Sequence, residues 1–224
     1  MWEQPSFRRF TVRGMVLLFL SSVLILTMLT PLEPIDLLYY ALSSGLGVAP
    51  EVMLMVSDIL LLLAGFLIAA SLRAFLYAGR LMSKSFMGAC STLAMINRAV
   101  NRKGLPSLLA AGLMLAFWHV PSILDAALLS YELHWVMHVS IFFAGVLIYL
   151  GFTRLTLGMR LLTYLLGCKA MLILGAYLLV SPIAVYGTYP YPEQLEAGTA
   201  MVAMCLASDV TIIPLWARRY FTSN

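Results

Sequence analysis

Six long apolar runs, separated by short segments that hold most of the charge, organise this chain. Neither the strict alternation of a half-buried strand nor the narrow stripe of a soluble amphipathic helix governs it. Each run is near the length of about 20 residues that a helix needs to cross the hydrocarbon core at about 1.5 Å rise per residue. The runs fall at 14 to 30, 52 to 74, 106 to 129, 132 to 153, 160 to 181 and 194 to 216. They predict an all-α fold, a polytopic transmembrane helical bundle of about six spans, with residues 1–224 as a single integral membrane domain.

Three segments lie between the runs. Residues 31–51 carry Ile35, Leu37, Leu38, Tyr39, Tyr40 and Leu42 between Pro34 and the Gly45/Gly47 pair, a pattern that predicts a short helix on the outer surface. Residues 75–105 mix Met82, Phe86, Met87, Leu93 and Ile96 with basic side chains, as in an amphipathic helix on the cytoplasmic leaflet. Either segment is alternatively a docking surface for another subunit. Residues 182–193 are rich in turn formers and tyrosine, which reads as an interfacial aromatic belt or as a lid.

The basic residues fix a direction of insertion. Arg8, Arg9 and Arg13 precede the first run, and no small-residue cleavage site follows it, so it reads as a retained span. Arg73, Arg80, Lys84, Arg98, Arg102 and Lys103 follow the second run, Arg154 and Arg160 join the fourth and fifth, and Arg218 and Arg219 follow the sixth. Positive residues stay inside, so both termini are expected in the cytoplasm. Glu33, Asp36, Glu51, Glu132, Glu193 and Glu196 collect on the other face.

Composition agrees. The chain is 62% hydrophobic and 11% charged, against about a quarter charged in soluble domains. Its net charge of +4 is accounted for by the cytoplasmic anchors, so the expected partner is the lipid bilayer and no nucleic acid. Cys90, Cys168 and Cys205 show no CxxC spacing, and no disulfide framework follows.

All three histidines, His119, His134 and His138, fall within one predicted hairpin of spans three and four. His134 and His138 are four apart and share one helical face, a spacing that suits two ligands on one metal. Counted from the outer ends of their runs, His119 lies roughly 15 Å deep, His138 roughly 9 Å and His134 roughly 3 Å. Pro121 bends the third span near His119 and frees a backbone carbonyl. Such imidazoles either line a metal site or form hydrogen bonds across the bundle.

Further ligands, or side chains that hydrogen-bond to the ligands, are expected among Met53, Asp58, Asp125, Glu132 and Met137, since intramembrane ionisable groups are costly and commonly paired or functional. Thioethers beside imidazoles favour copper, Cu(I) above all. Lys169 and Asp209, at similar depth in spans five and six, are expected to form a structural ion pair, with a proton relay as the alternative reading.

The stretch WHVPSILDAALLSYELHWVMHVSIFFAGVLIY, residues 118 to 149, resembles the signature of the CtaG-type cytochrome c oxidase assembly factors. The resemblance rests on Trp118, His119 and Pro121, then Asp125 to Leu128, then His134 and His138, then Gly145. A weaker likeness lies at EQLEAGTAMVAM, where Glu193 and Gln194 take the place of the family's aspartate-glutamine pair and so join the possible further ligands or partners of the ligands. A further histidine pair usual on an earlier span has no counterpart in EVMLMVSDILLLLAG, where Met53, Met55 and Asp58 stand. The resemblance implies a polytopic membrane protein that delivers copper to, or assembles, a respiratory terminal oxidase.

The expected function is therefore a membrane metal-binding assembly factor or accessory protein of a respiratory oxidase, with His119, His134 and His138 as ligands and copper as the metal. The alternatives are a haem-binding subunit, with His119 and His138 as axial ligands, and a purely structural transmembrane subunit. No nucleophilic triad, phosphate loop or pair of catalytic carboxylates occurs, so no enzyme activity is expected.

Overall fold

The computed structural model describes Val12, 14–23, 50–78, Thr92, Met95, 97–99 and 101–222, with the side chains of 50, 51, 53, 75–78 and 219–222 outside that description. The apolar runs become helices, and no strand occurs among the described residues. In chain order they are α1 (Gly14–Val23), α2 (Pro50–Ala78), α3 (Leu105–Trp118), α4 (Pro121–Leu129), α5 (Tyr131–Phe152), α6 (Leu157–Val180) and α7 (Tyr191–Thr222). Four of them, α2, α5, α6 and α7, are long and apolar enough to cross a membrane, and the bent pair α3 and α4 makes a fifth if counted as one span. These are the helices of a membrane protein. The surface helix expected within 31–51, most of 75–105 and the end of the first run lie outside the described residues.

The run 106–129, expected as one kinked span, is broken in two by local chemistry. Pro121 has no amide to donate, and its ring drives the preceding residue out of the helical region. Val120 accordingly takes φ −69 and ψ 123. Pro121 then opens α4 at the one helical position where a missing N–H costs nothing. The Val120 carbonyl accepts from the Ile123 and Leu124 amides at 2.9 and 3.0 Å, and the two helices meet at 71°. His119 sits in the corner.

The described helices divide between two compact units. The first contains Ser57–Phe117 and Trp135–Arg154. Here α2 and α5 touch backbone to backbone: a Cβ on Gly65 would lie 1.9 Å from the Phe142 carbonyl oxygen, and one on Gly145 would lie 2.0 Å from that of Leu62. Only glycine permits such an approach, the general device by which membrane helices pack without a hydrophobic drive. Phe66 and Tyr149 meet edge to face beside it at 5.1 Å. Ser21 Oγ donates to the Ala64 carbonyl at 2.9 Å, tying α1 to the same stretch of α2. Gly104, at φ +76, turns the chain into α3 with the Gly151 carbonyl 2.5 Å from where its Cβ would be.

The second unit contains the start of α2 up to Val56, Trp118–His134, and the chain from Leu155 onward. Its α6 and α7 are antiparallel neighbours. Gly175 opposes Gly198, each with its missing Cβ position within 2.9 Å of the other's carbonyl. The core of this unit is Met55, Leu178, Tyr186 and Met201, flanked by Val52, Leu124 and Met204. α6 starts at Thr156, whose hydroxyl accepts from the Met159 amide.

Candidate functional site

Within the first unit Gly65 meets Phe142 and Val146, Gly145 meets Leu62 and Phe66, and Phe66 meets Tyr149, a set of contacts that suits α2 and α5 running in the same direction. Their glycine contact sets the register. Asp58 precedes Gly65 by seven residues, and His138 precedes Gly145 by the same seven. Seven residues are close to two helical turns, so each returns to the face that its glycine presents to the neighbour, roughly 10 Å from the crossing. Asp58 and His138 therefore stand at one level on facing sides of two spans that touch.

Both place a polar atom in the interior. Asp58 Oδ1 and His138 Nε2 are fully buried, and Asp58 Oδ1 accepts no hydrogen bond. A buried carboxylate oxygen without a donor is costly in hydrocarbon and calls for a proton or a cation. A carboxylate oxygen and an imidazole nitrogen are donors of the kind that divalent copper and zinc accept.

Of the other two histidines, His134 stands one helical turn before His138 on the same face of α5. His134, in the first turn of α5, and His119, in the corner between α3 and α4, are half-buried members of the second unit, while His138 belongs to the first. Among the described residues, no three His, Cys, Asp or Glu side chains gather as a metal would need. Met137 is wholly buried, and Glu132 accepts from the Ser130 hydroxyl at 3.0 Å on the protein surface. Glu193 lies in the first turn of α7, and the side chain of Met53 is outside the described residues.

Two of the expected ligands are engaged by backbone. Asp125 Oδ2 accepts from the Gly187 amide and Oδ1 from the Thr188 amide, each at 3.0 Å, and the Thr188 hydroxyl donates to Oδ1 as well. Gln194 accepts with Oε1 from the Val185 and Tyr186 amides at 2.8 and 3.3 Å. Its Nε2 donates to the Tyr186 and Tyr189 carbonyls at 2.8 and 3.0 Å, which satisfies the whole amide. Together they strap the 181–190 connection onto α4 and α7. Tyr186 completes the strap by donating to the His119 carbonyl at 3.3 Å, the acceptor released by the break before Pro121. Burial, with the Asp125 carboxylate beside it, pushes the Tyr186 hydroxyl up to about 12.

A second polar group lies midway along α6 and α7. Lys169 Nζ donates to Asp209 Oδ2, the ion pair expected from sequence. Tyr164 donates to Ser208 Oγ at 2.7 Å, and the thiols of Cys168 and Cys205 sit beside them. Sequence reasoning missed that the two cysteines face each other, because their partnership depends on the antiparallel register of α6 and α7. The signal available was that Cys168 and Cys205 each lie seven residues from a glycine, Gly175 and Gly198.

No protein-family model matches the chain, and no curated protein or solved structure matches it.

Proposed function

We propose that this chain is an integral membrane accessory or assembly protein of a respiratory terminal oxidase, which holds copper between Asp58 and His138. The observation that carries the reading is the buried Asp58 Oδ1 that accepts no hydrogen bond, on a span packed backbone to backbone against the one that carries His138. A mixed nitrogen and oxygen donor pair suits Cu(II) better than the thioether-rich Cu(I) set that the methionines suggest. Two protein donors leave coordination positions for water or for a partner's side chain, as a site that must hand its metal on requires. His119 and His134, which share the oxidase-assembly signature with His138, are the other imidazoles available in the chain to a metal entering or leaving. In this reading about six spans place both termini in the cytoplasm, and the role is delivery and not catalysis.

The test is the metal content and optical spectrum of the full chain purified from its native membranes. Copper is expected in the wild type, with affinity roughly tenfold or more weaker in Asp58→Asn and His138→Gln. A Soret band without copper would establish the haem-binding alternative, and neither copper nor haem would leave a structural subunit.

A further inference from the structure

The thiols of Cys168 and Cys205 are arranged reciprocally on α6 and α7. Cys205 Sγ donates to the Cys168 carbonyl at 3.1 Å, and Cys168 Sγ donates to the Cys205 carbonyl at 3.7 Å. Both residues are buried, and they oppose each other two turns from the Gly175 and Gly198 contact. Each thiol lies against the other residue's peptide carbonyl, across helices whose backbones meet at Gly175 and Gly198, and convergence of this kind is what a disulfide between two helices requires.

The surroundings supply proton and charge partners. Cys168 Sγ lies 3.6 Å from Asp209 Oδ1 and 3.7 Å from Ser208 Oγ, and the Ser208 hydroxyl accepts from Tyr164 at 2.7 Å. Lys169 holds Asp209 while its own side chain is 44% exposed. Lys169 is twelve residues into α6 and eleven from its end, hence about 17 Å from either terminus, farther than a lysine reaches to a headgroup. An ammonium there offers N–H donors to whatever molecule occupies the middle of the bilayer. Water-soluble disulfides do not enter that layer. A lipid quinone does, and its carbonyl oxygens are hydrogen-bond acceptors.

We infer that Cys168 and Cys205 form a dithiol/disulfide couple that exchanges two electrons with a membrane quinone held by Lys169. In the oxidative direction both S–H bonds break and one S–S bond forms. The two electrons and two protons pass to the quinone, which leaves as quinol. Asp209 is the first acceptor for the Cys168 proton, and the thiolate so formed lies beside the Lys169 charge. The couple uses none of the residues assigned to copper, so its failure and that of the copper site are separable.

The experiment takes the full chain in a Cys90→Ser background, reduced, in anaerobic liposomes, and adds a short-chain benzoquinone. Quinol is followed by ultraviolet absorbance, free thiols by maleimide mass tagging, and linkage by peptide mapping. The expected result is one quinol formed and two thiols lost per chain, with Cys168 linked to Cys205, and no quinol from Cys168→Ser or Cys205→Ser. Lys169→Met is expected to slow the quinone reaction at least about tenfold while diamide still forms the disulfide, which shows that the variant is folded. Persistence of both thiols with the quinone, equal quinol from the serine variants, or an unchanged rate in Lys169→Met would each overturn the inference.

Discussion

A Gln194→Ala substitution removes four hydrogen bonds at once and leaves the Val185 and Tyr186 amides without their acceptor in the interior. Buried groups stranded in this way cost about 1–3 kcal/mol each, so a loss of roughly 2–4 kcal/mol is expected, read as a lower midpoint of unfolding in mild detergent. Tyr186 adds a pH dependence at the same strap. Its hydroxyl titrates at about 12 in the fold and at about 10 in an unfolded chain. Its contribution is therefore complete below about pH 10 and lost as pH rises through the folded value. A Tyr186→Phe variant should be slightly less stable at neutral pH and show a shallower alkaline decline in melting temperature; identical alkaline slopes would contradict the assignment. The sequence offers Asp58 and Asp125 as candidate ligands by their charge and Gln194 through the weaker likeness at the start of span six. They part company only through tertiary partners, because Asp125 and Gln194 meet backbone amides while Asp58 Oδ1 meets none.

Among the elements, the glycine crossing of α2 and α5 gives the sharpest contrast. Gly65→Ala and Gly145→Ala each drive a methyl group to about 2 Å from a backbone carbonyl, which no side-chain rotation relieves. A loss of about 2 kcal/mol or more is expected, with weakened metal binding because the register of Asp58 and His138 rests on this contact. Gly112 and Gly167 have open space where a Cβ would go, so Gly112→Ala and Gly167→Ala should be neutral or stabilising by up to about 1 kcal/mol. Equal effects in all four variants, measured by thermal unfolding, would show that the crossing does not bear on stability. Helix positions were legible in the apolar runs because each run is nearly all apolar over the length a bilayer demands. The break at His119 was legible only as a kink. Pro121 announces a disturbance, but Val120's extended backbone, set by the ring that follows it, turns the disturbance into a corner.

For the whole molecule, composition alone identifies a membrane protein, since 62% hydrophobic residues with 11% charge leave no soluble alternative. The interior placement of charge is less legible, because sequence gives depth but not which spans touch. Lys169 and Asp209 illustrate the point: similar depth suggests the pair, and the antiparallel packing of α6 on α7 makes it. Removing either partner leaves a lone charge within the bilayer, so Lys169→Met and Asp209→Asn should each lower the melting temperature more than the double variant does. Of the three imidazoles close in sequence, the one that shares its level with Asp58, whose buried Oδ1 accepts no hydrogen bond, is His138. The most direct measurement is Cu(II) titration of the purified full chain followed by electron paramagnetic resonance, in wild type, Asp58→Asn and His138→Gln. One tightly bound copper per chain with a single imidazole nitrogen coupling, lost in His138→Gln and weakened in Asp58→Asn, is the result expected of a site between these two spans; copper bound equally by all three proteins would contradict it.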